Sequence, residues 1–360
     1  MKFVFLCKRR PQGKDLLTRP YGRFYYLPKY LAEKGHEVNL LLLSHKNEPK
    51  ITVTKDRINW TSITIMKQGP FAYVREAKKI IQQRKPHWIV GLSDTYYGIL
   101  AQRLGKKYNI RSLIDAYDNF ESYIPWLKPL HALWRKSLSK ATLVTAAGPS
   151  LIDLLRQFRP DKPTEIISMA ADPIFKSMDK IECRQKLGLP VDKKLIGYSG
   201  STIHASRGID ILFAAFDSLK QEDPDVELVL TGRKGRNITI PSEANWLGYI
   251  PDADMPLLLN SLDVLVVLNQ PSAFGNYSYP IKLYEAMRCK VPVVVTETLS
   301  TKWIMQNHEN LLIEPGSAEK LSDTLKYAMD LGRVNYGEQL DWDTIGADFE
   351  KLLRDHQKLS

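Results

Sequence analysis

Short apolar runs rich in Val, Ile and Leu alternate with longer stretches of helical period along almost the whole chain, and the series runs through twice. A continuous apolar run followed by a 3.6-residue periodicity is the pattern of a buried parallel strand and its crossover helix. In the first series strands are predicted at 2–7, 37–43, 87–92, 111–115 and 142–146, with helices at 22–34, 71–84, 96–108, 128–139 and 149–157. In the second, strands fall near 194–198, 226–231, 245–247, 263–267, 292–295 and 311–313, and helices fit 207–221, 254–260, 280–288, 300–306 and 317–331. The fold class is therefore α/β, and 360 residues suit two Rossmann-like doubly wound domains facing each other better than a single core. Pro173, the polar run 177–180 and Gly188-Leu189-Pro190 interrupt the periodicity, which divides the chain into domains of 1–172 and 173–340. The last helical segment, 341–358, has no following strand to serve and is expected to cross back onto the first domain.

Composition narrows the class. With 44% hydrophobic and 25% charged residues the chain reads as soluble and globular, not disordered or fibrous. Cys7, Cys183 and Cys289 are far apart and odd in number, so they form neither a metal-binding spacing nor a disulfide framework, and a reducing cytoplasm is expected. The apolar run at the N-terminus is too short for a signal peptide and is followed at once by Lys8-Arg9-Arg10. No stretch approaches the roughly 18 apolar residues that span a bilayer, so any membrane contact, as on the inner face, is peripheral.

The net charge of +11 is unevenly held. Residues 1–172 carry 30 Lys and Arg against 14 Asp and Glu, a net of +16, while residues 173–360 carry 21 against 26, a net of −5. A basic first half suits an anionic partner such as a membrane surface, a phosphorylated lipid, an acidic glycan or a nucleic acid; the plainer reading is a face that is basic for solubility.

The most specific segment is Tyr277-Ser278-Tyr279-Pro280-Ile281-Lys282-Leu283-Tyr284-Glu285-Ala286-Met287, followed by the strand-like Val291–Val295. Ser278 is expected to cap a helix opening here, with Pro280 where a missing N–H is harmless. Free amides and the positive dipole end then suit a diphosphate, with Lys282 adding a full charge. Glu285, three residues on, is placed to accept two hydrogen bonds from a vicinal diol such as a ribose. The second segment is a strand, 195–198, running into Ser199-Gly200-Ser201-Thr202 and a helix beginning at Arg207-Gly208. A glycine turn admits a phosphate close to backbone, and Arg207 can bind its oxygens with two parallel donors.

These pieces in this order, with Asn245–Asp252, Asp263–Val267, Gly35-His36-Glu37-Val38 and Ala170-Ala171-Asp172-Pro173, resemble glycosyltransferase family 4 over nearly the whole chain. The resemblance implies the GT-B fold and a retaining transfer from a nucleotide-diphosphate-sugar donor bound mainly by the C-terminal domain; arginine, lysine and helix-end amides can stabilise the departing diphosphate, so no metal or other cofactor is expected. It implies that Arg207 and Lys282 neutralise the diphosphate, that Glu285 holds the ribose, and that the 246–250 loop, with Tyr249 and Ile250, lies against the base. Gly200, Ser201, Thr202, Ser278, Tyr279 and Ile281 complete the expected donor set. Two positions depart from the family. Tyr277 stands eight residues before Glu285, where family members often carry a second glutamate. Tyr117 precedes Asp118 where many carry a histidine, leaving Asp118, Glu121, Asn276 and Ser278 as candidates for the missing groups, with Asp118 the expected catalytic residue beside Arg207 and Lys282.

The acceptor, a glycan or lipid-linked molecule, is expected at the basic first domain. The loop Lys8–Lys14 leaves strand one at the end where open α/β sheets bind ligands. Lys8, Arg9, Arg10 and Lys14, with Arg19, Arg23 and Glu121, form the expected acceptor set. In the segment 126–140, Leu127, Leu130, Leu133, Trp134 and Leu138 follow helical spacing, while Lys128, Arg135, Lys136 and Lys140 lie largely off that stripe. Such a stripe packs on a sheet or rests on anionic lipid. Two rivals keep different functions: a non-catalytic nucleotide-sugar binder, suggested by Tyr277, and a nucleic-acid binder, suggested by a pI near 9.3 and by Tyr21, Phe24, Tyr25 and Tyr26 among arginines. The aromatics have a duller explanation as the packed face of helix 22–34, and nucleic acid is not the expected partner.

Overall fold

The computed structural model describes residues 1–200, 208–235 and 238–358. The chain forms two compact units, Met1–Met169 with Leu340–Ser360, and Ala170–Gln339.

The sheet of the first unit contains β1 (Lys2–Lys8), β2 (Glu37–Ser44), β3 (Ile51–Lys55), β4 (Ile58–Thr64), β5 (Trp88–Gly91), β6 (Arg111–Ala116), β7 (Leu143–Ala146) and β8 (Thr164–Ile166). Their order is β3-β4-β2-β1-β5-β6-β7-β8, with every pairing parallel except β3 on β4. Phe3 to Cys7 are all fully buried, as a strand covered on both faces requires. Crossovers are made by α1 (Arg23–Glu33), α2 (Ile65–Gln68), α3 (Ala72–Arg84), α4 (Thr95–Tyr108), α5 (Lys128–Lys140) and α6 (Pro149–Arg156).

The second unit carries β9 (Lys194–Ser199), β10 (Val226–Thr231), β11 (Asn245–Gly248), β12 (Val264–Val267), β13 (Val293–Thr296) and β14 (Leu312–Ile313), all parallel, in the order β11-β10-β9-β12-β13-β14. Its helices are α7 (Lys180–Leu187), α8 (Ile209–Glu222), α9 (Met255–Ser261), α10 (Ile281–Arg288), α11 (Leu299–Ile304) and α12 (Ala318–Asp330). The last helix, α13 (Trp342–Lys358), belongs to the first unit. There Trp342 stacks on Tyr26, with centroids 5.3 Å apart and planes 9° apart, and Glu350 meets His36 Nε2 at 2.8 Å.

The parallel sheets and crossover helices follow the alternation in the sequence, but β3, β4, β8, α2 and α7 were not among the expected elements. The β3–β4 hairpin was not expected, because its turn is Asp56-Arg57, both at positive φ, instead of the Asn-Gly or Asp-Gly that announces such turns. The polar run around 177–180, read as a break, leads into α7: Asp179 caps it by accepting from the Glu182 amide at 2.8 Å, and Gly188 ends it in the left-handed region. Arg184 on that helix is buried and bonded to Asp263 at 2.6 Å.

Candidate active site

In the second unit β10 and β11 lie on one side of β9, and β12, β13 and β14 on the other. The carboxyl ends of β9 and β12 therefore flank the point where strand order reverses, the place where open α/β sheets hold ligands. β9 ends at Ser199 and turns at Gly200, whose φ of 153° is a glycine conformation. A Cβ on Gly200 would lie 2.5 Å from Lys282 Nζ. That ammonium donates to the Ser199 carbonyl. The turn is tied to the neighbouring strand by Gly200 N–H donating to the Thr231 carbonyl at 3.2 Å.

The segment between β12 and α10 is held by its own side chains. Asn269 Nδ2 donates to the Gly275 carbonyl at 3.3 Å, and Ser272 Oγ accepts from the Gly275 amide at 2.9 Å. A Cβ on Gly275 would fall 1.9 Å from the Gln270 carbonyl oxygen, so any side chain there forces the backbone to shift. Ser300, fully buried, donates to the Ser278 carbonyl at 2.6 Å. Ser278 is thus extended backbone anchored from behind, and it does not cap the helix. The N-cap of α10 is Pro280, and no side chain among the described residues caps it. Proline presets the backbone for the first turn without supplying a capping oxygen, and this corrects the expectation for Ser278. The first turn of α10 brings Ile281 and Lys282, both half-buried, to the Ser199–Gly200 turn, and half-buried Glu285 follows one turn later.

Tyr279 is buried, its ring edge-on to Trp303 at 5.9 Å. Tyr249 is exposed just past β11, and Ile250 is half-buried against the core. Ser201, Thr202 and Arg207 lie outside the described residues.

In the first unit the strand order reverses between β1 and β5. Lys8 ends β1, and its amide donates to Ser93 Oγ at 3.0 Å beyond β5. Asp94, next along, caps α4 by accepting from the Tyr96 amide at 3.0 Å. Burial holds the Asp94 carboxyl above its usual range, opposed by that bond and by Lys8. Asp118, just past β6, is buried and accepts from the Tyr123 hydroxyl at 2.6 Å. Tyr117, standing where a histidine was looked for, is packed edge-on against Phe24 at 5.1 Å and Phe120 at 5.3 Å. Burial, then the Asp118 charge, raises its phenol far above the ordinary range, so it stays protonated.

Several expected acceptor residues are engaged elsewhere. Arg23 has no exposed surface: its guanidinium grips Asp115 at 2.8 and 2.6 Å, and Nη1 lies 3.3 Å from Met169 Sδ. It is a core ion pair and not an acceptor contact, because Asp115 on β6 would otherwise be a bare buried charge. Arg9 bonds Asp15 at 3.0 Å and Glu48 at 3.1 Å, and Arg10 bonds Asp15 at 2.5 Å and also Glu48. Two carboxylates thus neutralise the two arginines that the sequence offered to an anion. Glu121 is held by Arg135 at 2.6 and 2.8 Å. Lys14 lies over the Tyr21 ring at 5.2 Å, and Arg19 is exposed. Phe24 and Tyr25 are buried, so that part of the aromatic set is core packing and no stacking platform.

No group of three or more His, Cys, Asp or Glu side chains suited to a metal occurs among the described residues. The three cysteines are buried and free, and burial pushes the Cys289 thiol up to about 12.

The family model described as glycosyl transferases group 1 matches residues 179–341, the span that contains the Gly200 turn and α10. Over that span the sequence is similar to group 1 glycosyltransferases. A Bacillus subtilis (strain 168) protein named as a teichuronic acid biosynthesis glycosyltransferase, TuaC, is 29% identical over 153 residues, which is 41% of this chain and 36% of that protein. The match thus spans little more than a third of the length of that curated relative. Sucrose-phosphate synthase (tll1590) from Thermosynechococcus elongatus superposes with a TM-score of 0.79 at 16% identity, over 100% of both chains. Anabaena Alr3699/HepE, solved in complex with UDP, gives 0.74 at 17%, over 99% of this chain and 100% of that one. At such identities the likeness is one of fold, and the fold is GT-B.

The sequence pointed to Lys282 and Gly200, which the structure brings together, but passed over Ser93-Asp94 at the reversal point of the first sheet. The available signal was a Ser-Asp pair between a strand and a helix, which reads as a cap unless the strand order is known.

Proposed function

We propose that the chain transfers a sugar from a nucleotide-diphosphate-sugar donor to a glycan or lipid-linked acceptor. The observation that carries this reading is Lys282 reaching from the first turn of α10 to the Ser199–Gly200 turn, at the reversal point of the second sheet and inside the matched family span. A diphosphate seated there meets an ammonium, a glycine turn with no side chain in the way, and a helix end without a side-chain cap. Arg207 adds a second cation and Glu285 holds the ribose. These groups stabilise the charge that grows on the leaving diphosphate, so the chemistry needs no divalent ion.

In the reaction, the bond from the anomeric carbon to the β-phosphate oxygen breaks and the acceptor oxygen bonds to that carbon with retention. The acceptor proton passes to the departing phosphate, so a protonated Tyr117 in place of a histidine base does not forbid the step. Lys14, Arg19 and Asp118, joined by Asp94 at the reversal point of the first sheet, are the acceptor groups. Release of nucleoside diphosphate from a panel of nucleotide sugars, with Glu285→Ala and Arg207→Ala as controls and chelator added in one arm, tests the reading. Turnover that survives both substitutions, or that stops with chelator, speaks against it.

Tyr277 and Tyr117, at the two positions that depart from the family, favour a second reading in which the donor binds without being consumed. Tight donor binding with no release of diphosphate in the presence of any acceptor identifies that case.

A further inference from the structure

We infer that the segment 123–140 of the first unit adsorbs to the surface of an anionic lipid bilayer. This rests on that unit alone and does not depend on the transferase reading. α5 buries His131, Trp134, Ser137 and Leu138, so only the later part of the expected apolar stripe is core. The remainder faces water: Trp126 is 76% exposed, and Ile124, Leu127 and Leu133 are exposed with it. Leu133 shares one helix face with Pro129, Lys136 and Lys140, spaced four, three and seven residues away, and Lys128 and Ala132 lie beside them, all but Leu133 polar, small or cyclic.

The electrostatics select the occupant. From Ser122 to Ile152 there is no Asp or Glu, while Lys128, Arg135, Lys136 and Lys140 supply four positive charges. Arg135 is committed to Glu121, and the three lysines make no ion pair with a described residue. An exposed tryptophan at the entry to a helix whose outer face mixes leucine with lysine matches a bilayer interface, with the indole at headgroup depth and the ammonium groups among lipid phosphates. No helix among the described residues is long and apolar enough to cross a membrane, so the contact is adsorption.

Cosedimentation of the full chain with vesicles of phosphatidylcholine alone, or of phosphatidylcholine with phosphatidylglycerol, tests the inference. Binding is expected to the second vesicles only, and to fall as salt rises. Lys128→Gln, Lys136→Gln and Lys140→Gln together should weaken it roughly a hundredfold, at about fivefold per charge. Trp126→Ser with Leu127→Ser should abolish binding while leaving the melting temperature and nucleotide binding unchanged, since both side chains are exposed. Absence of binding to anionic vesicles overturns the inference, as does equal binding by either variant. Self-association of the wild type that is lost in Trp126→Ser, without lipid binding, would assign the surface to a second copy instead.

Discussion

Arg23 and Asp115 form a two-pronged ion pair in which neither side chain has any exposed surface, with Nε to Oδ2 at 2.8 Å and Nη2 to Oδ1 at 2.6 Å. Thr145 Oγ1 donates to Asp115 Oδ1 at 2.7 Å, which ties α1 and β7 to the middle of the first sheet. Replacing Asp115 by Ala leaves a buried guanidinium without its carboxylate and should cost about 3–5 kcal/mol, whereas Arg23→Met with Asp115→Leu should recover much of that loss. Urea denaturation of the single and double variants measures both. A single variant as stable as the wild type would contradict this reading of Arg23.

Glu48, bonded to Arg10 and to Ser44, has its carboxyl held down to about 2, first by the Arg10 hydrogen bond. A depressed carboxylate contributes stability that is complete above its unfolded value near 4.5 and is lost as pH falls toward about 2. The wild type should lose stability through that acid window faster than Glu48→Gln, which should already be less stable at neutral pH. Melting temperatures measured from pH 7 downward check the sign; parallel curves for the two proteins would rule it out.

Gly275→Ala should act at a distance from any ligand contact of its own. Its new methyl would overlap the Gln270 carbonyl, so the 269–280 segment must move, at a cost of about 1–3 kcal/mol. Because that segment leads into α10, nucleotide binding should weaken along with stability. A Gly275→Ala protein that melts and binds like the wild type would show that the segment does not set the position of α10.

Asp94→Asn separates a structural role from a chemical one. Asparagine keeps the cap on α4, and it removes a charge that burial disfavours. At neutral pH the variant should be as stable as the wild type or more so, and the two should converge on acidification as Asp94 takes up its proton. If Asp94 faces the acceptor, transfer should fall with donor binding unchanged. Full transfer by Asp94→Asn would remove it from the acceptor set.

How much of this was legible in the sequence depended on whether a residue's role was local. The strands from Phe3 to Cys7 and from Val293 to Val295 announce themselves because burial on both faces demands unbroken apolar runs. The approach of Lys282 to Gly200 was readable because each sits beside its own strand end, and the doubly wound topology brings such ends together. Arg23 misled for the opposite reason: its partner Asp115 is distant in the chain, and an arginine in a basic stretch reads as surface until that carboxylate is found. Arg9 and Arg10 were misread likewise, since Glu48 lies beyond a strand and a helix. Ser278 has the right chemistry for a cap two residues too early, and only the extended backbone through Pro280 shows it. The split of the α5 stripe, Trp134 inward and Leu133 outward, could not be decided from spacing, because both belong to the same period.

The central claim is that Lys282, beside the Gly200 turn, holds a diphosphate. Calorimetric titration of the wild type and Lys282→Ala with a nucleoside and its diphosphate tests it most directly, across uridine, guanosine and adenosine. One diphosphate should bind the wild type well and its nucleoside poorly, and Lys282→Ala should bind that diphosphate roughly ten- to a hundredfold more weakly, the loss of one hydrogen bond to a charged group. Equal affinity of both proteins for that ligand, or no diphosphate bound by the wild type, would contradict the account.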